Sequence, residues 1–160
     1  MTLIENNLTT YGLQIELTKS QNENFIRIQN HWYRFNNELK KHHLNQNGAN
    51  WEKYGITYKM DETYFYLTSI PAFGSVFPEH FIQKTIPKGH YEVFTHQGDM
   101  STIKTTIHDI YKTILPNSNF QIEPSSKAGF IHFEKYDFRF QWNKPTSIID
   151  IYLPLNTNFE

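Results

Sequence analysis

The order of predicted elements constrains this chain more than any single motif, because the order occurs twice. Residues 11–18 (YGLQIELT) alternate, with Leu13, Ile15 and Leu17 on one side and Gln14 and Glu16 on the other, which predicts a half-buried strand. SQNEN (20–24) reads as a polar loop. From Asn30 the spacing turns helical, with Trp32, Phe35, Leu39 and His43 three to four apart. Asn30 is the candidate N-cap, and Lys40, Lys41, His42 and His43 fall in the last turns, where positive charge suits the helix dipole. A loop, NQNGAN (45–50), precedes two alternating runs, 54–59 and 63–68, whose short connection Met60-Asp61-Glu62 predicts a hairpin. After a Pro- and Gly-rich connector over 69–89 the order returns. Residues 90–96 form a strand. Ile103, Ile107, Ile110, Tyr111 and Ile114 mark an amphipathic helix with Asp99 or Ser101 as cap and Pro116 beyond its end. Residues 120–122, 130–136 and 148–153 are further strand candidates.

Two strand–helix–strand–strand repeats, about 11–70 and 86–155, imply one α+β domain over 1–160. The expected architecture is a largely antiparallel sheet with two helices on one side, leaving its other face free as a concave surface. Apolar bulk comes from rings: 3 Trp, 10 Tyr and 13 Phe stand in a chain that is only 38% hydrophobic with a mean hydropathy of -0.62. Two readings of the rings remain open, an aromatic β-rich core and a ring-lined pocket. The 15 basic and 16 acidic residues give a net charge of -1, which argues against direct nucleic-acid binding and against a polybasic membrane contact. The absence of cysteine excludes a disulfide framework, a cysteine nucleophile and thiolate metal sites. No secretory signal and no run near the ~18 apolar residues of a membrane helix is visible, so a cytoplasmic protein is expected.

The segment 130–153 carries the strongest chemical signal. Alternation in GFIHFEKY (129–136) puts Phe130, His132, Glu134 and Tyr136 on one face. In IIDIYL (148–153), Ile148, Asp150 and Tyr152 share a face, and Ile149, Ile151 and Leu153 form an aliphatic face expected to pack on the helices. A central hairpin register would set Glu134 near Asp150, on the face away from the helices. A carboxylate among rings suits a cation, held by ring quadrupoles and one countercharge. A surface glutamate on a solvent-facing strand is the alternative reading of the same spacing.

Other patterns carry less. Ser101-Thr102-Ile103-Lys104 matches S-x-x-K without its companion motifs and reads as a cap. There is no H-E-x-x-H, the eight histidines show no metal spacing, and His42-His43 reads as a C-terminal charge pair. Neither a metal nor a cofactor is expected. Trp32 reads as core or pocket wall, and Trp51 and Trp142 as packed over either the core edge or a ligand.

The run 86–155 resembles the GyrI-like small-molecule-binding domain, the effector-binding half of AraC- and MerR-type multidrug-sensing activators. The pieces that carry this are IPKGHYEVFTHQG (86–98), the helix through LPNSNFQI (115–122), FEKYDFRF (133–140) and IDIYLPL (149–155). NHWYRFNNEL (30–39), YGITY (54–58) and YFYLTSIP (64–71) match more loosely. The resemblance implies two βαββ repeats around a pseudo-twofold axis, a central aromatic cleft, and lipophilic, planar, often cationic ligands. It places the key acid at Glu134, its partner ring at Tyr136 and the closing-strand ring at Tyr152. Tyr58, Tyr66, Trp32 and Phe94 complete the expected ring set. No DNA-binding module is expected before the domain. Some relatives hydrolyse strained genotoxins, which would make Glu134 a general base on water. A protein partner such as a topoisomerase subunit has no positive support in the residues.

Overall fold

The computed structural model describes residues 1–45, 48 and 50–156. Gln46, Asn47 and Ala49 of the expected NQNGAN loop lie outside the described residues. Eight strands form one curled antiparallel sheet: β1 (Thr2–Ile4), β2 (Leu8–Glu16), β3 (Lys53–Met60), β4 (Thr63–Pro71), β5 (Ile82–Ile86), β6 (Gly89–Gln97), β7 (His132–Tyr136) and β8 (Ile148–Pro154). Helix α1 spans Gln21–Lys41, α2 spans Ile103–Asp109 and α3 spans Ser125–Ala128. A 3₁₀ turn, Met100–Thr102, leads into α2, and a π turn, Ile110–Ile114, follows it.

The duplication is visible in the sheet order, β1-β6-β8-β7-β3-β4-β2-β5. Its centre is the β3–β7 pair. Outward from it, β3-β4-β2 of the first repeat answers β7-β8-β6 of the second. The edge strand β5 lies in the stretch read from sequence as connector, and β1 precedes the first element expected from sequence. Each precedes its own repeat in the chain but pairs with the other: β1 on β6, and β5 on β2. A three-residue strand is too short to show a period, which is why β1 gave no signal. The expected strand at 120–122 reduces to a single bridge between Ile122 and Leu155.

Helix α1 begins at Gln21, not near Asn30. The Ser20 hydroxyl accepts from the Glu23 backbone N–H at 3.2 Å, so Ser20, with Glu23 three residues on, is the N-cap. The polar SQNEN segment is therefore the cap and first turn of α1. At the second repeat Asp99 caps as expected, accepting from the Ser101 N–H at 3.1 Å. The β3–β4 hairpin turns at Asp61-Glu62, with Asp61 in the left-handed region (φ 54°).

The β7–β8 register corrects one expectation. Glu134 pairs with Ile151, and Lys135 pairs with Asp150. A one-residue offset exchanges the faces of a strand. Ile149, Ile151 and Leu153 do pack toward the helices, as their aliphatic character requires, and each is at most 1% exposed. Burying such a side chain contributes roughly 1.5–3 kcal/mol. Glu134 lies on that same face, beneath the helices and not away from them. Asp150 turns to the other side, where Arg139 bridges it to Asp137 through bonds of 2.6 and 2.9 Å.

Each face of the sheet has its own aromatic core. Under α1, Trp32, Phe35 and Leu39 pack with Tyr66, Ile70, Tyr136 and Ile149. On the opposite face Tyr54, Tyr58, Tyr91, Phe130, Phe133 and Tyr152 cluster together. Ile4 of β1 and Ile86 of β5, from opposite edges of the sheet, both belong to this second cluster. The sheet therefore curls around it.

Candidate functional site

Glu134 stands in the middle of β7 and is 6% exposed. Its Oε1 accepts two hydrogen bonds, from the Tyr66 hydroxyl at 2.7 Å and the Tyr136 hydroxyl at 2.6 Å. Trp32 Nε1–H donates to the Tyr66 oxygen at 3.0 Å, which fixes the direction of the Tyr66 proton. Strands β4 and β7 thus aim two phenols at one carboxylate oxygen, and Trp32 of α1 orients one of them. Among the described residues, no hydrogen bond reaches Oε2, and no Lys, Arg or His forms an ion pair with Glu134. Burial pushes the Glu134 pKa above its ordinary value, and the bonds from Tyr136 and Tyr66 oppose that shift without cancelling it. Burial, reinforced by the charge on Glu134, holds both phenols well above their usual range, so both remain donors.

Glu134 and Tyr136 form the floor of a cavity of about 260 Å³ between the sheet and the helices. Phe25 and Ile28 of α1 line one wall. Met100, Ile103, Ile107 and Tyr111 line the other, and Trp142 closes an end. Lys104, His108 and Lys112 stand at the rim. Lys104 reaches across the mouth, donating to Asn22 at 3.2 Å with its Nζ 5.9 Å from the Phe25 ring centre. A second cavity of about 120 Å³ lies beyond Tyr136 and Trp142, which line both spaces; Trp32, Asn36, Trp51, Lys53 and Phe140 complete it. Both loop tryptophans therefore line cavities.

A second buried polar pair sits at the α2 end. The Tyr111 hydroxyl and His132 Nδ1 share a hydrogen bond of 2.7 Å. Burial pushes the His132 pKa down to about 4, so the ring is neutral near pH 7.

Four of the ring and acid positions expected from sequence come together: Glu134, Tyr136, Tyr66 and Trp32. Three do not. Tyr58 stacks on Phe65 at 5.4 Å and Tyr152 stacks on Phe133 at 4.7 Å, both on the opposite face of the sheet. Phe94 shares the Glu134 face but packs in a separate cluster with Ile110, Ile151 and Leu153. The cavity residues that sequence reasoning missed, Phe25, Ile28, Met100 and Ile103 among them, come from the helices. The Ser20–Glu23 cap signal would have extended α1 over Phe25 and Ile28.

A carboxylate with a free oxygen, in a ring-lined cavity between a duplicated sheet and its two main helices, defines a small-molecule effector-binding domain. The chain belongs to the Cass2 family of integron-associated effector-binding proteins, whose family model matches residues 5–155. The fold is similar to that of SAV2435, solved bound to tetraphenylphosphonium, with 18% identity and a TM-score of 0.74 over 98% of this chain and 92% of that one. It is similar to a putative bacterial transcription regulation protein from Staphylococcus aureus MU50, with 17% identity and a TM-score of 0.68 over 98% and 99% of the two chains. It is also similar to an integron cassette protein from the mobile metagenome of Vibrio cholerae, with 17% identity and a TM-score of 0.56 over 97% and 94%. No curated protein matches the chain. Among the described residues, no helix is long and apolar enough to cross a membrane.

Proposed function

We propose that this domain binds lipophilic, planar organic cations in the Glu134 cavity. The observation that carries the reading is the unpaired carboxylate. A buried ionised group without a countercharge costs free energy even when two phenols bond it, and a cation seated against Oε2 would recover part of that cost. Phe25, Tyr111, Tyr136 and Trp142 offer ring faces, and Ile28, Ile103 and Ile107 offer shape-tolerant apolar contact. Such contacts fix few directions in space, so selectivity is broad. That SAV2435 was solved with a lipophilic phosphonium supports a lipophilic cation, while the planar shape rests on the rings that line this cavity. The test is titration of the chain with tetraphenylphosphonium and with rhodamine, followed by tryptophan fluorescence. Saturable quenching that weakens in Glu134→Gln is the expected result. Equal affinity in the two proteins overturns the electrostatic part, and no saturation overturns the reading.

The free Oε2 and the upward-shifted Glu134 favour a second reading, hydrolysis of a strained electrophile with Glu134 as base on a water. Incubation with a cyclopropane-bearing alkylator and mass spectrometry separate the two. Ring-opened product in molar excess over protein supports turnover, and its absence leaves binding alone.

A further inference from the structure

Away from the cavity, the C-terminal end of α1 meets the connector between the repeats. Glu38 and His42, one helical turn apart, project toward His80. Phe81, which follows His80, is 7% exposed and packs on Phe35, and its N–H donates to the Pro78 carbonyl at 3.0 Å. The backbone that carries His80 is therefore anchored in the core, although the imidazole is half exposed.

We propose that Glu38, His42 and His80 form a binding site for a divalent transition-metal ion, Zn²⁺ by the chemistry of its donors. One ligand atom from each residue lies within 4.8 Å of the others. His42 Nε2 is 3.4 Å from Glu38 Oε2, and His80 Nε2 is 3.5 Å from Glu38 Oε1. A tetrahedral zinc ion with bonds of about 2.0–2.1 Å needs ligand atoms about 3.3 Å apart. The two separations, each to a different oxygen of Glu38, lie close to that edge, and a side-chain rotation that offers one carboxylate oxygen to both imidazoles would complete the three-ligand set. A second observation points the same way. Glu38 Oε2 and His42 Nε2 are both shielded from solvent and lie 3.4 Å apart, yet neither makes a hydrogen bond, to the other or to any further described residue. Buried polar atoms without partners are rare and costly, and one metal ion would satisfy both. Two imidazoles and one carboxylate are a borderline donor set that suits Zn²⁺, Co²⁺ or Ni²⁺ over Mg²⁺ or Ca²⁺. The sequence hid the site because His42 and His80 lie far apart in the chain and in different segments. The ion would clasp the connector to α1 independently of ligand binding in the Glu134 cavity.

The test uses the full chain without a histidine tag, freed of metal by chelator and titrated with Zn²⁺ by calorimetry and with Co²⁺ by visible absorption. The expected result is one equivalent per chain, an intense tetrahedral Co²⁺ spectrum, and a Tm raised by roughly 5–10 °C at Zn²⁺ a hundredfold above Kd. His80→Gln and Glu38→Gln each weaken uptake at least tenfold with the metal-free Tm unchanged, whereas His90→Ala, a histidine outside the cluster, binds as the wild type does. Absence of stoichiometric uptake by the wild-type chain overturns the proposal, as does uptake by His80→Gln within twofold of the wild type.

Discussion

Gly55 and Glu134 face each other across the β3–β7 pair, and the Tyr66 hydroxyl occupies the space a side chain at residue 55 would need. A Cβ built on Gly55 would lie 2.0 Å from the Tyr66 hydroxyl oxygen and 2.9 Å from Glu134 Oε1. The missing side chain is what lets a tyrosine from β4 reach a carboxylate on β7, across the intervening β3. The pseudo-twofold centre of the sheet and the centre of the proposed binding site are for this reason the same place.

Gly55→Ala is therefore expected to displace the Tyr66 hydroxyl and to break its bond to Glu134. Overpacking of this kind costs about 1–3 kcal/mol. The urea unfolding midpoint falls with an unchanged slope, and affinity for a cationic dye falls with it.

Glu134→Gln separates stability from binding. Affinity for a cationic dye falls roughly ten- to hundredfold, as loss of a charge-assisted contact implies. Affinity for a neutral aromatic of similar shape changes less than twofold. The unfolding midpoint of the ligand-free variant at pH 8 is equal to or above that of the wild type, because the ionised carboxylate has no buried cation to offset its desolvation. Paired dye titrations and urea curves measure both effects.

Cation binding depends on pH with a definite sign. Only ionised Glu134 attracts a cation, and its pKa in the folded protein lies above the ordinary 4.5. Affinity is full above the shifted value and declines as pH falls through it. Below that pKa, binding releases a proton, so calorimetric enthalpies change with the ionisation enthalpy of the buffer. A flat affinity between pH 8 and pH 4.5 would contradict the assignment.

His132 gives folding stability an acid limb. Its folded pKa, about 4, lies below the ordinary 6.5, so its share of stability is complete above pH 6.5 and is lost as pH falls toward 4. The full difference corresponds to roughly 3 kcal/mol. Glu134 acts in the opposite sense: its pKa is raised, so its share is present at low pH and lost as pH rises through the folded value. His132→Gln keeps an acceptor for Tyr111 and is expected to flatten the decline between pH 6.5 and 4. Urea midpoints at pH 7, 5.5 and 4.5 in the two proteins measure it.

The duplicated order was legible in the sequence because alternation in β2, β3, β4, β6, β7 and β8 and the helical spacing of α1 and α2 are strong periodic signals. The edge strands were not, since their pairing joins distant segments and β1 is too short to show a period. That Glu134 shares a face with His132 and Tyr136 was legible for a related reason: the three alternate within one strand, and intrastrand alternation needs no knowledge of neighbours, although it does not say which face the helices cover. Tyr58 entered the expected ring set with the family resemblance, and alternation along β3 puts it with Tyr54 and Ile56 on the far face. The side of Tyr152 depends on register, which the loop between β7 and β8 sets. There Ile148 N–H donates to the Arg139 carbonyl at 3.1 Å, and Arg139 bridges Asp137 and Asp150. Local periodicity contains none of that.

The two faces of the sheet should consequently respond differently to truncation of a ring. Tyr136 lines both cavities and donates to Glu134, whereas Tyr152 lies flat on Phe133 at an interplanar angle of 10° on the far side. Tyr136→Phe keeps the apolar area but removes one of the two donors to Oε1, so the carboxylate is harder to ionise and its pKa rises further. Its cation affinity at pH 6 is expected to fall more than at pH 8. Tyr152→Ala leaves a cavity in the second cluster and is expected to lower stability by about 3 kcal/mol, near the lower end for aromatic truncation because the ring is only partly buried. Its dye affinity, measured under conditions where it remains folded, stays within twofold of the wild type. A tenfold loss of dye affinity in Tyr152→Ala with normal stability would place the ligand on the other face of the sheet.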